Sequence, residues 1–251
     1  MSLLRTVELR KRFGALIACD GVNFTVEKGE FLSLVGSNGA GKTTLVNLIT
    51  AHLQPDSGQV LFEERDITEM TVSARIEAGI ARSFQLVNLF DGLSVFDNVA
   101  LAIFARQGKT AKITTLAAND DDVRRETREV LAEFGLVTKS ELLAGELAQG
   151  ERKLLDVAVA YALRPKLLFL DEPTSGVSTR DKTQIMDTVS SVVRAGTVTA
   201  VVIEHDMDVV FRYSDRIVMM HEGRFLADGT PEEIKANNEV ASILLGAPLS
   251  A

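Results

Sequence analysis

The sequence predicts an α/β protein organised around an anion-binding loop, and three stretches carry that prediction. The first is Gly36-Ser37-Asn38-Gly39-Ala40-Gly41-Lys42-Thr43-Thr44, preceded by the apolar run Phe31 to Val35 and followed by the helix-forming run Thr44 to Ile49. Two glycines, a lysine and a hydroxyl at these offsets, between a strand and a helix, make a phosphate-binding loop. The second is Leu167-Leu168-Phe169-Leu170, a continuous apolar strand of the type buried in a parallel sheet, ending in Asp171 and Glu172. The third is a change of period. Residues 86 to 150 abandon strand alternation for helical spacing, which reads as a helical insertion in an α/β core.

In the loop, glycines remove the side chains that would keep an anion away, so that backbone N–H groups converge on phosphate oxygens beside the positive end of a helix. Gly36, Ser37, Asn38, Gly39, Ala40 and Gly41 are the expected phosphate contacts. Lys42 brings a point charge to the β- and γ-phosphates, the Thr43 hydroxyl is suited to ligate the Mg²⁺ that bridges them, and Thr44 supports the loop.

Around the loop, Val7 and Leu9 alternate, as do Val22, Phe24 and Val26, predicting an antiparallel β-layer that leads into the loop strand. Phe13 stands at its first bend before Gly14, where a ring either stacks on adenine or caps the core. Gln54 to Gly58 reads as a turn, Gln59 to Phe62 as a strand, and the region near Ser73 to Gly79 as a short helix. In the helical stretch, Val123, Thr127, Val130, Leu131 and Phe134 form one buried stripe, with Arg124, Arg125, Glu126 and Arg128 expected in solvent. A helix over 151–164, stopped by Pro165, precedes the Leu167 strand. A helix over 180–194, a strand from Val198 to Ile203, a hairpin through His221-Glu222-Gly223, and a helix started by the capping box Thr230-Pro231-Glu232-Glu233 complete the chain.

Composition narrows the partners. Among 251 residues, 27 basic and 35 acidic side chains give a net charge of −8 with no dense cationic run, which disfavours a non-specific nucleic-acid grip. No stretch approaches the roughly 18 to 20 apolar residues that span a bilayer, and the N-terminus has no signal-peptide core, so any work at a membrane is expected of a peripheral subunit. Cys19 is the only cysteine and reads as a small buried apolar residue.

At the end of its strand, Asp171 is placed to hold Mg²⁺ and Glu172 to orient and deprotonate an attacking water. The phosphate loop, Gln85, Leu147-Ala148-Gln149-Gly150-Glu151, the segment Leu167 to Thr174 and His205 follow one another in the order and approximate spacing of the ATP-binding-cassette ATPases, and the chain resembles that family over nearly its whole length. The resemblance implies a RecA-like core with an antiparallel β-subdomain over 1–88 and 152–235, a helical subdomain carrying the signature loop over 89–151, and a C-terminal helical extension over 236–251. It also implies ATP and Mg²⁺ as cofactors. Gln85 would link metal and water to the helical subdomain, with Thr43, Gln85 and Asp171 around the metal, while His205 would contact the γ-phosphate. Leu147 to Glu151 would face the nucleotide held by a second cassette in a head-to-tail dimer, either a heterodimer or a homodimer.

Against the commonest family signature, Leu-Ser-Gly-Gly-Gln, Leu147 and Gly150 match while Ala148, Gln149 and Glu151 depart. Loss of the serine hydroxyl removes a phosphate donor worth about 0.5 to 1.5 kcal/mol, leaving the backbone donors. Ser178 stands where many members carry an aspartate. The segments Gly79 to Gln85, Leu89 to Val99, Glu204 to Met207 and the tail from Gly229 to Gly246 resemble the ATPases of branched-chain-amino-acid importers. That implies integral permeases and, indirectly, a solute-binding protein as partners, and a place on the cytoplasmic face of the cell membrane. Carriers of urea, amides or aromatic acids, the lipopolysaccharide-export ATPase and soluble cassette proteins are the related alternatives.

Overall fold

A computed structural model describes residues 2–83, 89–108, 120–196, 198–237 and 240. The chain divides into two compact units, Met1–Ala78 with Thr199–Ala251, and Gly79–Val198.

The first unit opens with β1 (Ser2–Phe13), β2 (Leu16–Val22) and β3 (Thr25–Glu27), both later strands antiparallel to β1. The predicted layer is present, but the alternation along β1 is not the expected one. Glu8 adopts φ 46° and the register slips beside it, so Thr6, not Val7, is buried together with Leu9. An extra residue in one strand reverses the facing of what precedes it. The buried Thr6 hydroxyl is satisfied by donating to Val22 O at 2.8 Å and accepting from Phe24 N at 2.9 Å. β4 (Phe31–Val35), buried at every residue, runs into the glycine loop and α1 (Lys42–Ile49). β5 (Ser57–Phe62) then pairs with the other side of β1, β6 (Arg65–Asp66) closes that edge, and α2 (Val72–Ala78) follows.

The second unit places β7 (Ile80–Ser83) parallel to β8 (Leu167–Asp171), with α3 (Val95–Arg106), α4 (Asp121–Glu133) and α5 (Gln149–Ala162) between them in sequence and α6 (Thr179–Arg194) after. Ser94 caps α3 and Asp120 caps α4, each accepting from a backbone N–H three residues on. The apolar stripe of α4 is buried as expected. Glu126 is not solvated as its place opposite that stripe suggested: it is 8% exposed, with Arg106 donating to both carboxylate oxygens at 2.9 and 2.6 Å and Arg164 at 2.5 Å. Two guanidiniums compensate the desolvation that periodicity alone treated as prohibitive.

The chain re-enters the first unit with β9 (Thr199–Ile203), α7 (Met207–Tyr213), β10 (Arg216–His221), β11 (Arg224–Gly229) and α8 (Pro231–Ala236). β4 lies between β9 and β10, parallel to both, and β11 returns antiparallel to β10. The strand leading into the phosphate loop is therefore central within its unit. Thr230 and Glu233 form the predicted capping box. Beside it Val35, Val210, Ile217, Met219, Ile234 and Val240 make a buried cluster, so α8 and Val240 pack with residues of β4 and β10.

Candidate nucleotide site

The phosphate loop is shaped by close backbone approaches. Gly36 sits at φ 147°, where a Cβ would lie 2.1 Å from Met220 O; Gly41 sits at φ 106°, where a Cβ would lie 2.2 Å from Ala18 O. Both neighbours are backbone and cannot step aside, so the two glycines are required by the walls as well as by the loop. Gly39, at φ 81°, has nothing within 4 Å and is required by conformation alone. The turn between β10 and β11 pins the loop from outside, with Gly223 N donating to Ala40 O at 2.9 Å.

Lys42 is 6% exposed and donates to Gly36 O at 2.6 Å and Ser37 O at 3.0 Å. The ammonium thus spans the mouth of its own loop, poised over the place where phosphate oxygens would meet it. Ser37, Asn38, Gly39 and Thr43 are exposed, Ala40 is buried and Thr44 is half-buried. Gly41 is the N-cap of α1, which has no acidic residue in its first turn and no side chain capping it, leaving the helix N-terminus open to an anion. In the same unit, Phe13 is 46% exposed, which is inconsistent with a core cap, and Lys11 Nζ stands over its ring, 5.9 Å from the centre. His205 is exposed in the loop between β9 and α7, where its N–H donates to the buried Glu204 at 3.1 Å.

The second unit carries the carboxylates. Asp171 ends β8, 6% exposed, and receives Arg82 Nη2 from β7 at 2.5 Å. Glu172 follows, half-buried and in a left-handed conformation at φ 50°. Such a conformation costs a Cβ-bearing residue about 1 to 3 kcal/mol and persists where neighbours hold it. The predicted signature segment straddles the start of α5, which begins at Gln149, two residues before the expected start: Leu147 is buried, Ala148 and Gln149 are exposed, and Gly150 and Glu151 are half-buried. Glu151 turns back to accept from Ala148 N at 3.1 Å and pairs with Lys139 Nζ at 3.1 Å, capping that helix. Gly150 packs on Asp181, with a Cβ there 3.2 Å from that of Asp181. Ser178 is the N-cap of α6, its hydroxyl accepting from Asp181 N at 3.3 Å. Gln85 lies outside the described residues.

Three charged groups near these elements escaped sequence reasoning: Arg82 against Asp171, Lys153 against the Glu172 backbone at 3.3 Å, and Arg75, whose guanidinium donates to Leu48 O, Ile49 O and Thr68 O, each at 2.6 Å. The signal for Arg82 lay in Ile80-Ala81-Arg82-Ser83, a charge inside a short apolar strand, which demands a counter-charge. Burial pulls the Arg75 pKa down to about 10, against the pull of Asp66 and Glu69. Cys19 is fully buried as expected, and burial pushes its thiol up to about 12, so it is no nucleophile at neutral pH.

A glycine cradle with its lysine between a central parallel strand and a helix, together with a strand ending in paired carboxylates, defines a phosphate-loop nucleotide hydrolase of the cassette type. The family model for ABC transporters matches residues 19–175, and the chain belongs to that family, as an ATP-binding and ATP-hydrolysing cassette. It is 34% identical to BraF of Pseudomonas aeruginosa, a high-affinity branched-chain amino acid transport ATP-binding protein, over 97% of this chain and 98% of that one. It is 32% identical to LivG of Escherichia coli K12, a protein of the same description, with the same two coverages. Among solved structures, the ADP conformation of an ABC transporter cassette superimposes with a TM-score of 0.87 at 31% identity, over 98% of this chain and all of that one. A nucleotide-free cassette superimposes with a TM-score of 0.84 at 31% identity, over 99% and 96%.

Proposed function

We propose that this chain is the ATPase subunit of an importer for branched-chain amino acids or chemically related amino acids and amides, working on the cytoplasmic face of the membrane beneath two integral permeases. The observation that carries this reading is full-length similarity to ATP-binding subunits of branched-chain amino acid transport, with coverage near the ends of both chains. No helix among the described residues is long and apolar enough to cross a membrane, so the translocation path would be supplied by other chains.

The proposed reaction is hydrolysis of ATP between two cassettes arranged head to tail, this chain and either a second cassette chain or its own copy. Lys42 and the N–H groups of residues 36 to 44 would hold the phosphates, Phe13 would stack on adenine, and His205 would contact the γ-phosphate. Glu172 would orient the attacking water and take its proton. Leu147 to Glu151 of the opposite cassette would close over the γ-phosphate, and hydrolysis would release that closure.

Thr43, Asp171 and Gln85 would supply the hard oxygen donors that Mg²⁺ prefers, and the bound phosphates would complete its shell. Bound there, Mg²⁺ would neutralise charge on the β- and γ-oxygens. Among the described residues no group of three His, Cys, Asp or Glu side chains could hold a metal without them. In such a cassette residues 89–151 would form the helical subdomain and 236–251 a C-terminal extension.

The test is purification of the Glu172→Gln chain from its native membranes in the presence of ATP, followed by identification of what accompanies it. Recovery of two integral permeases and a second cassette chain, with a solute-binding protein that takes up branched-chain amino acids, is expected. Recovery of soluble partners alone, or of a homodimer without permeases, would overturn the importer reading. A binding protein selective for urea or aromatic acids would replace the substrate class.

A further inference from the structure

Two donors converge on the carbonyl oxygen of Glu172. Ser175 N–H lies 3.1 Å away and closes a turn, and Lys153 Nζ, reaching across from α5, lies 3.3 Å away. The same ammonium is 3.5 Å from Ser175 Oγ, at the outer limit of a hydrogen bond. Lys153 is 6% exposed. A lysine gives up that much hydration where oriented oxygens replace water, and two such oxygens here, Glu172 O and Ser175 Oγ, belong to the segment that leaves β8.

The contact has a second point. A Cβ on Gly176 would come within 2.8 Å of Gln149 Nε2, so the amide of the first residue of α5 lies directly over Gly176. Gln149 and Lys153 are four residues apart and share one face of the helix. The first turns of α5 are therefore laid along the segment from Glu172 to Gly176, touching it at its start through a charge and at its end through a close approach.

We infer that Lys153 is a positioning residue for Glu172, holding the backbone conformation from which that carboxylate acts and tying it to the first turns of α5. The inference rests on the assignment of Glu172 as the base. The carboxylate and the carbonyl share one Cα, so a displacement of the carbonyl re-aims the side chain. The loop Leu147 to Glu151 runs into the same helix turn. Engagement of that loop by a phosphate and the aim of Glu172 are thereby coupled within one chain, with Lys153 as the link.

The test compares the full-length chain with K153M, K153R, E172Q and the double variant K153M/E172Q, under conditions in which the unmodified chain hydrolyses ATP. A misaimed base costs on the order of 10- to 100-fold in rate, so K153M should lower kcat by that amount, with KM for ATP within about twofold and an unchanged melting temperature. K153R, which retains the charge, should recover most of the rate. In the E172Q background K153M should bring no further loss, because both act through one group.

The inference is overturned if K153M turns over within about twofold of the unmodified chain, if only KM rises, or if the two losses multiply in the double variant. K153Q gives the same comparison should K153M fail to fold. An E172Q chain with full turnover removes the base itself and the inference with it, whereas an inactive E172Q beside a normal K153M removes the inference alone.

Discussion

Arg82 Nη2 lies 2.5 Å from Asp171 Oδ2, and each side chain is 7% exposed. The carboxylate proposed for the metal thus has a cationic neighbour on the adjacent parallel strand, in register through Arg82 opposite Phe169 and Ser83 opposite Leu170. Removing one partner of a buried pair strands the other, at a cost of about 3 to 5 kcal/mol. R82M is expected to lower the unfolding free energy read from urea titration by that amount, with a lower midpoint, and R82M/D171N to recover part of it because no charge is left stranded. Equal midpoints for R82M and the unmodified chain would show that the pair contributes nothing to stability.

The loop glycines should respond to alanine in a graded way. G36A and G41A drive a Cβ into the backbone carbonyls of Met220 and Ala18, and each should cost at least about 2 kcal/mol and abolish ATP binding. G39A meets open space and carries only the left-handed penalty of about 1 kcal/mol. Equilibrium binding of a fluorescent ATP analogue, with thermal melts of the same samples, separates the two classes; a G39A chain as damaged as G36A would contradict the clash argument.

Arg75 is buried to 1% and caps the far end of the phosphate-loop helix, its donors meeting the carbonyls of Leu48 and Ile49 as well as Thr68. R75M takes the guanidinium from three buried carbonyls, of which Leu48 O still accepts from Ala51 N at 3.4 Å, and a loss of about 3 kcal/mol is expected. Hydrogen exchange should report it locally, with protection lost first in α1 and α2. Uniform loss across the first unit would argue against a cap specific to α1.

Glu126 supplies a pH dependence whose sign follows from its surroundings. Burial pushes its pKa up, but the hydrogen bonds and charges of Arg106 and Arg164 outweigh that and hold it below its ordinary value. A depressed folded-state pKa contributes stability in full above the unfolded value, near 4.3, and loses it as pH falls through the folded value. E126Q should therefore destabilise the chain by about 2 kcal/mol at neutral pH, with the difference from the unmodified chain shrinking below about pH 4. Urea titrations at a series of pH values would read this directly, and a difference independent of pH would exclude the carboxylate charge as its source.

What the sequence showed and what it hid divide by the separation of the interacting groups. The strand into the phosphate loop, the helix after it, the Thr230 capping box and the turn at Gly223 were all legible, since each is set by contiguous residues whose backbone limits are local. β1 shows where that reasoning fails. Its alternation placed Val7 inside, but the bulge at Glu8 turned Thr6 inward, and a bulge is fixed by the partner strands.

By itself, then, the chain's sequence identified the elements of the nucleotide chemistry: nine consecutive residues carry the pattern of a phosphate loop, and an apolar strand ends in paired carboxylates. The tertiary structure decided how the charges around that chemistry are held. Arg75 reaches carbonyls 27 and 26 residues away, Arg82 a carboxylate 89 away, Arg106 a carboxylate 20 away, and Lys153 a carbonyl 19 away. A buried charge is tolerable only with a partner, and partners at those separations are chosen by the packing of whole elements, which no local pattern of residues records.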